Sequence, residues 1–226
     1  MSGSGIGANV FITGANRGIG LGLVKEIAKV SGIKNIFAGC RIQLVQRSCK
    51  ILKKAQILCI KAAFNEVKKC LGSEPALNLL INNSGILENK AAMTTAAFLP
   101  LIRQAGASNQ SAKILNISSG LGSTAGVQSS KQIPNSNIVY GMSKQRHIMA
   151  PVRALNHYTK ALAGDVKENN VVAIAMCPGW VRTDMGTSAA MLSVDESVSA
   201  IVKLIASLEI GQSGAYLDRL GKTIAF

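Results

Sequence analysis

Residues 13–20 have the sequence Thr-Gly-Ala-Asn-Arg-Gly-Ile-Gly and lie between an apolar run, 9–12, and a segment with helical spacing, 21–30. Glycines let a chain turn tightly and bring backbone N–H groups against an anion, and the N-terminus of a helix favours negative charge. The stretch therefore predicts a β-α unit whose turn binds a pyrophosphate. Its spacing, Gly-x-x-x-Gly-x-Gly, differs from the Gly-x-Gly-x-x-Gly of the general dinucleotide fingerprint.

Short apolar runs rich in β-branched residues recur after this unit, with helical candidates between most of them. They predict further strands at 35–38, 56–60, 77–81, 113–117, 171–176 and 214–217. The alternation predicts an α/β fold, a single Rossmann-type domain over residues 1–226 with a doubly wound parallel sheet of about seven strands and helices on both faces. Two polar segments rich in Gly and Ser, 119–137 and 181–193, are expected to be loops near a site.

Composition narrows the class of protein. Hydrophobic residues make up 48% of the chain and aromatic residues only 4%, which suits helix-covered parallel sheets. The five cysteines form neither a Cys-x-x-Cys pair nor a Cys/His metal pattern, which favours reduced intracellular thiols and no metal site. The first residues do not resemble a signal peptide, and no apolar run is long enough to cross a bilayer. We therefore expect a cytoplasmic protein with no membrane partner.

Positive charge dominates, with 25 Lys and Arg against 11 Asp and Glu and a formal net charge of +14. Such a charge favours polyanionic partners, from a dinucleotide phosphate to RNA. The basic residues are spread along the chain, and aromatic side chains for base stacking are scarce. A basic RNA-binding protein stays open as a hypothesis that rests on charge alone, and no nucleic-acid partner is expected.

Basic residues also stand where the ribose of a dinucleotide would lie. The second predicted strand runs on to Arg41, where NAD-preferring sites usually place an acidic residue. Arg41, together with Arg17 in the glycine turn, can hold a 2′-phosphate through charge-assisted hydrogen bonds, whereas a carboxylate would repel it. The two arginines favour NADPH over NADH.

Two further patterns carry groups suited to acid–base chemistry. Tyr140 and Lys144 are four residues apart and lie on one face of a predicted helix. A free tyrosine has a pKa of about 10, and a nearby cation is what lets its phenol exchange a proton near neutral pH. The strand 113–117 ends in Ser118 and Ser119, which add two hydroxyl groups.

Taken together, these motifs resemble the short-chain dehydrogenase/reductase family, most closely its NADPH-dependent carbonyl reductases of the sniffer type. Residues 13–20 match the family's Thr-Gly-x-x-x-Gly-x-Gly, and residues 82–85 are similar to its Asn-Asn-Ala-Gly. Residues 177–186, Cys-Pro-Gly-Trp-Val-Arg-Thr-Asp-Met-Gly, are similar to a segment of sniffer-like reductases, as is the closing segment 214–226. The matches keep the family's order along nearly the whole chain.

The resemblance implies that a small-molecule carbonyl substrate receives hydride from NADPH while Tyr140 donates a proton to its oxygen. Ser119, with Ser118 as its neighbour, would hydrogen-bond that oxygen, and Lys144 would bind the nicotinamide ribose and stabilise the tyrosinate. Contacts to NADPH/NADP+ are implied at Gly14, Asn16, Arg17, Gly18, Ile19, Gly20, Arg41, Asn83, Ser84, Gly85, Tyr140, Lys144, Pro178, Gly179, Val181 and Thr183. Many relatives pair their subunits, so a homodimer is compatible with the resemblance, but a shortened helix would remove surface used for pairing and leaves the oligomeric state open.

Two segments are shorter than in relatives of this type. Between residues 60 and 77 the chain lacks the Asp and small residue that contact adenine in the family. In the family an Asn completes the catalytic tetrad. Asn89 is the only asparagine near the corresponding place, and its spacing to Leu99-Pro100 does not match. A parallel crossover needs only about a dozen residues, so the segment 86–113 can still connect its strands. A non-catalytic nucleotide-binding or scaffold member of the family is therefore the alternative hypothesis.

Overall fold

The computed structural model describes residues 5–40, 50–52, 57–73, 76–84, 88–108, 110–123, 125 and 138–226, and for 50–52, 57–59, 88–89 and 138–149 it describes the backbone. In these residues the strands are β1 (Asn9–Thr13), β2 (Asn35–Gly39), β3 (Lys50–Leu52), β4 (Leu79–Asn82), β5 (Lys113–Ile117), β6 (Val172–Cys177) and β7 (Tyr216–Asp218). The α-helices are α1 (Gly18–Ile27), α2 (Ile57–Leu71), α3 (Glu88–Ala107), α4 (Ile138–Val166) and α5 (Val194–Ser207).

The seven described strands form one parallel sheet in the order β3-β2-β1-β4-β5-β6-β7. The chain adds strands outward from β1 in one direction and then returns to add β4 on the other side of β1. Ile12 of β1 pairs with Ile81 of β4 at this reversal. In open α/β sheets, ligands bind beyond the carboxyl ends of the strands at such a switch point. The predicted doubly wound fold is confirmed, and it places the site beyond Thr13 and Asn82.

The two faces of the sheet carry separate apolar clusters because strand side chains alternate in direction. Val10, Ile12 and Ile81 belong to one cluster, which α1 and α5 cover. Phe11 and Leu80 belong to the other, which helices α2, α3 and α4 cover. Helices therefore lie on both faces, as the strand and helix alternation predicts.

The strand predicted at 56–60 is wrong. Ile57 begins the helix α2, and the edge strand β3 lies earlier, at Lys50–Leu52. Apolar residues continue past residue 60 at helical spacing, and Phe64 and Val67 pack into the core beside α3. A four-residue apolar run is compatible with a strand or with a buried helix, and this longer period decides for the helix. The other predicted strands match the observed ones to within one or two residues at either end.

The segment predicted as a loop at 181–193 contains neither a helix nor an extended strand, only the isolated bridge between Val181 and Leu192. At 119–137, a short 3₁₀ helix, Gly120–Gly122, begins the segment, and most of the remainder lies outside the described residues. No helix in the described ranges is both long and apolar enough to cross a membrane.

Candidate active site

The turn after β1 brings the glycine motif to the switch point. Gly14 and Gly18 have φ angles of +64° and +51°, in the left-handed region that residues with a Cβ rarely adopt. A Cβ on Gly20 would collide with the carbonyl oxygen of Gly14 and come within 2.5 Å of Asn83 Nδ2. Glycine at these positions therefore gives the turn its shape and lets α1 begin directly against it.

The N-terminus of α1 is open to an anion. Arg17 is its N-cap residue but makes no side-chain capping hydrogen bond, and the first turn of the helix contains no acidic residue. Helix N-termini leave backbone N–H groups without intrahelical partners, and the helix dipole adds positive potential there. Ile19 lies in the first turn of α1, and its side chain packs against the core. A pyrophosphate group fits this arrangement.

Thr13 and Asn83 fasten the turn to the neighbouring strand. Thr13 Oγ1 accepts hydrogen bonds from the backbone N–H groups of Asn83, at 2.9 Å, and Ser84, at 3.0 Å. Asn83 Nδ2 in turn donates to the carbonyl oxygens of Thr13 and Gly14, each at 3.1 Å. The Asn-Asn-Ser segment after β4 thus supports the glycine turn, and the exposed Ser84 lies at the edge of the cleft.

The segment after β6 reaches across to the same turn. Thr183 Cγ2 lies 3.2 Å from where a Cβ on Gly18 would stand. Arg17 Nη1 forms an ion pair with Asp184 Oδ2 at 2.6 Å, and both side chains are largely exposed. This brings Arg17, Gly18 and Thr183 together, as the cofactor-site prediction requires.

Hydrogen bonds fix the shape of that segment. The Pro178 carbonyl accepts from Ser197 Oγ of α5 at 2.8 Å, and Thr183 Oγ1 accepts from the Gly186 N–H at 3.1 Å. Trp180 Nε1 donates to the Gly186 carbonyl at 2.8 Å while half of the Trp180 side chain stays exposed. Val181 is buried, so its contact with a ligand would come from the backbone.

The two serines after β5 have different surroundings. Ser118 is buried, and its Oγ donates to Asn156 Oδ1 of α4. Ser119 is half-buried, and its Oγ accepts from the Leu121 N–H at 3.4 Å. Ser118 Oγ is therefore occupied within the core, whereas Ser119 lies half-buried at the turn after β5.

Tyr216 of β7 holds the backbone of Ser119, because its hydroxyl donates to the Ser119 carbonyl oxygen. The ring is fully buried, and burial together with the nearby Cys177 raises the pKa of Tyr216 to about 12, against the opposing effect of hydrogen bonds with Ser118 and Asn156. Tyr216 is thus a protonated donor at physiological pH. Cys177 Sγ accepts from the Gly120 N–H at 3.1 Å and fixes the next residue of the same turn.

For four of the other predicted site residues the structure gives the backbone or nothing. Tyr140 and Lys144 lie one turn apart near the start of α4, and their side chains are outside the described residues. Arg41 and Gly85 also fall outside them. Asn16 lies half-buried in the glycine turn.

A chain of buried polar groups behind the site was not predicted. Asn82 Nδ2 donates to Thr95 Oγ1 at 3.0 Å and to Asn116 Oδ1 at 2.8 Å, and Asn116 Nδ2 donates to Thr159 Oγ1 at 2.8 Å. These bonds join β4, α3, β5 and α4. The sequence did contain a signal for this chain: Asn82 and Asn116 each lie in an apolar strand. A buried amide requires hydrogen-bond partners, so two such residues indicate a buried polar network.

The second of the two shortened segments, 86–113, still contains a long helix. α3 spans 20 residues, from Glu88 to Ala107, and Asn89 lies in its first turn. The described part of the crossover between β4 and β5 is therefore helical, as in other parallel crossovers.

Comparisons with known proteins agree with this fold. Residues 8–191 match the family model described as short chain dehydrogenase. The NADPH-bound carbonyl reductase from chicken fatty liver is 29% identical, with a TM-score of 0.82 over 97% of this chain and 94% of that one. The carbonyl reductase Sniffer of D. melanogaster is 26% identical, with a TM-score of 0.85 over 97% of this chain and 100% of that one. The short-chain dehydrogenase anuI of Penicillium roqueforti is 26% identical over 86% of each chain.

Proposed function

Because the chain belongs to the short-chain dehydrogenase family, we propose that it is an NADPH-dependent carbonyl reductase acting on a ketone, aldehyde or quinone. The observation that most directly supports this proposal is the glycine turn at the switch point. The turn leads into the uncapped N-terminus of α1, and the segment after β6 contacts it. The carbonyl reductases with similar structures, one of them bound to NADPH, support this choice.

The residues around the turn suit a dinucleotide phosphate. Backbone N–H groups of Gly18, Ile19 and Gly20 would bind the pyrophosphate, and Thr183 would contact the nicotinamide end from the opposite side. The remaining contacts expected from the resemblance are Gly14, Asn16, Asn83, Ser84, Gly85, Tyr140, Lys144, Pro178, Gly179 and Val181. When bound, NADPH supplies the hydride, and the fold supplies position and acidity.

Charge supports NADPH over NADH. Arg17 is the N-cap residue of α1 and its side chain is largely exposed, so its guanidinium can reach a 2′-phosphate. Arg41 would be the second cation at this phosphate.

Three residues would carry out or support the proton transfer to the substrate oxygen. Tyr140 gives its phenolic proton to the carbonyl oxygen as the carbon receives hydride, so that the products are an alcohol and NADP+. Lys144, one turn away on α4, would stabilise the tyrosinate by its positive charge. Ser119 Oγ donates a hydrogen bond to the same oxygen as negative charge develops there. The Tyr216 hydroxyl, which bonds to the Ser119 carbonyl, acts as a positioning group.

A second candidate, a non-catalytic nucleotide-binding or scaffold member, is favoured by the poor match to the tetrad asparagine. Among the described residues, Asn82 and Asn116 are both taken up in the buried polar chain. The single-domain organisation over 1–226, a homodimer and a cytoplasmic location also stay predictions.

The experiment has two steps. Fluorescence titration with NADPH and NADH, for the wild type and Arg41→Asp, should show tight NADPH binding that weakens in the variant. Oxidation of NADPH with quinones, diketones and aldehydes should then fall at least a hundredfold in Tyr140→Phe. Binding without turnover of any carbonyl, or absence of binding to either cofactor, would contradict the reductase and favour the non-catalytic candidate.

A further inference from the structure

The first residue after β6, Pro178, is held by a side chain of another element. Its carbonyl oxygen accepts a hydrogen bond of 2.8 Å from Ser197 Oγ of α5. Pro178 is buried and Ser197 is fully buried, and none of the backbone N–H groups of the described residues donates to this carbonyl. A buried carbonyl without a donor costs free energy. The Ser197 hydroxyl therefore determines where the Pro178 carbonyl lies as the chain leaves the sheet.

The turn that Pro178 begins, residues 178–180, is also attached to the start of α5 through Leu192. Gly179 has a φ angle of +84°, and a Cβ there would come within 2.6 Å of Leu192 Cδ1. The Leu192 N–H donates to the Trp180 carbonyl oxygen at 3.1 Å. Leu192 immediately precedes Ser193, the N-cap residue of α5. Both ends of the turn 178–180 are therefore bonded to residues at the start of this helix.

The start of α5 has its own backbone donors paired. Ser193 and Glu196 form a capping box, in which Ser193 Oγ accepts from the Glu196 N–H and the Glu196 carboxylate accepts from the Ser193 N–H. A capping box satisfies two helix-terminal donors reciprocally. Ser197 follows directly, and its N–H donates to the Ser193 carbonyl oxygen at 3.2 Å. The Ser197 hydroxyl thus comes from a helix terminus that hydrogen bonds hold in place.

Helix α5 packs closely on α1, the helix that begins at the glycine turn. A Cβ on Gly22 of α1 would lie 2.6 Å from Val194 Cγ1 and 3.0 Å from Val198 Cγ1. Ser197 lies between these two valines in the sequence, so the helix contact fixes its position relative to α1. The glycine turn and the turn 178–180 are therefore connected through α1, α5 and Ser197.

We propose that Ser197 is a positioning residue for the nicotinamide end of the cofactor. The inference rests on the proposed function, in which the glycine turn binds the pyrophosphate and the segment after β6 contacts the nicotinamide end. Ser197 acts through Pro178, because its hydroxyl is buried and bonded to that carbonyl. It sets the distance between the two turns and so places the nicotinamide end relative to the pyrophosphate.

Calorimetric titration of the purified full chain with two ligands tests this role. One is NADPH, and the other is 2′-phospho-ADP-ribose, which has the phosphates and the adenosine of NADPH but no nicotinamide. In Ser197→Ala the Pro178 carbonyl loses its donor, so NADPH should bind about three- to tenfold more weakly while 2′-phospho-ADP-ribose binds within about twofold of the wild-type affinity. Ser197→Thr keeps a hydroxyl and should restore most of the NADPH affinity.

Turnover gives a second measurement. With a carbonyl substrate and saturating NADPH, kcat of Ser197→Ala should fall about tenfold or more, because a displacement of about 1 Å in the reacting geometry is costly. Ser197→Thr should recover most of that loss.

Ser111→Ala is the matched control. Ser111 Oγ donates to the Gly5 carbonyl oxygen at 2.7 Å, so this variant loses the same type of bond at the opposite, amino end of the sheet. Its affinities for both ligands should equal those of the wild type. Equal weakening of both ligands in Ser197→Ala, or an unchanged affinity for NADPH, would overturn the positioning role and leave the proposed function intact. A wild type that binds neither ligand would contradict the proposed function itself.

Discussion

Arg17 and Asp184 form an ion pair of 2.6 Å that joins the glycine turn to the segment after β6, across 167 positions of sequence. Both side chains are largely exposed, so the pair contributes little to stability, typically up to about 1 kcal/mol. Its importance lies in where it is. Arg17 is one of two cations proposed for the 2′-phosphate, and Asp184 competes with that phosphate for the same guanidinium.

Asp184→Asn should therefore strengthen NADPH binding. Loss of the carboxylate frees Arg17 and removes a negative charge near the phosphate, which should lower the dissociation constant of NADPH about two- to fivefold. NADH lacks the 2′-phosphate, so its affinity should stay close to the wild-type value. Fluorescence titration with both cofactors measures the effect, which should shrink at high salt as exposed charges are screened. Equal gains for both cofactors would contradict the competition.

Gly20→Ala should disrupt the glycine turn. The new Cβ would meet the backbone of Gly14, which cannot move without shifting β1, so we expect a loss of about 1–3 kcal/mol in the free energy of unfolding. NADPH affinity should fall at least tenfold because α1 is displaced. Gly164→Ala is the matched control, since no atom lies within 4 Å of its Cβ position. In a helix interior this change should stabilise by roughly 0.5–1 kcal/mol, which urea unfolding would detect.

The glycine turn could be predicted because its chemistry is local: a phosphate-binding turn requires particular residues at neighbouring positions. The error at 56–60 was also local, since the four apolar residues 57–60 do not distinguish a strand from the start of α2. The Arg17–Asp184 pair could not be predicted, because its partners meet only when β1 and β6 occupy the same sheet. The environment of Asn156 likewise depends on how α4 packs against the end of β5.

Ser119→Ala and Ser118→Ala should separate catalysis from packing. Loss of the Ser119 hydroxyl should reduce kcat by about a hundredfold or more, as removal of a donor to a developing oxyanion does, with little change in stability. Loss of the Ser118 hydroxyl leaves Asn156 Oδ1 without its donor and should cost about 1–3 kcal/mol of stability while kcat stays near wild type. Steady-state kinetics and thermal melts on both variants would reveal the opposite pattern if the roles were reversed.

Tyr216→Phe should affect the site through the Ser119 backbone. The variant loses the hydroxyl that donates to the Ser119 carbonyl, at a cost of about 1 kcal/mol, and should lower kcat while leaving the KM for NADPH unchanged. The pKa of Tyr216 is about 12, so the phenol stays protonated in the wild type and the ratio of the two kcat values should be constant from neutral pH to mildly alkaline pH. A ratio that varied across this range would show that Tyr216 titrates during turnover.

Lys113 should make stability depend on pH above neutrality. It is 5% exposed at the amino end of β5, where its Nζ donates to the carbonyl oxygens of Gly5 and Ile205, and burial lowers its pKa from 10.5 to about 8. Below pH 8 Lys113 is charged in both the folded and the unfolded state, and the folded state bears the full free-energy cost of burying that charge. Between 8 and 10.5 the unfolded state binds more protons, so the free energy of unfolding rises with pH, by up to about 3 kcal/mol. Urea unfolding across this range should show that Lys113→Met loses the rise, whereas Lys203→Met, at an exposed position on α5, keeps it. An unchanged rise in Lys113→Met would assign the effect to other groups.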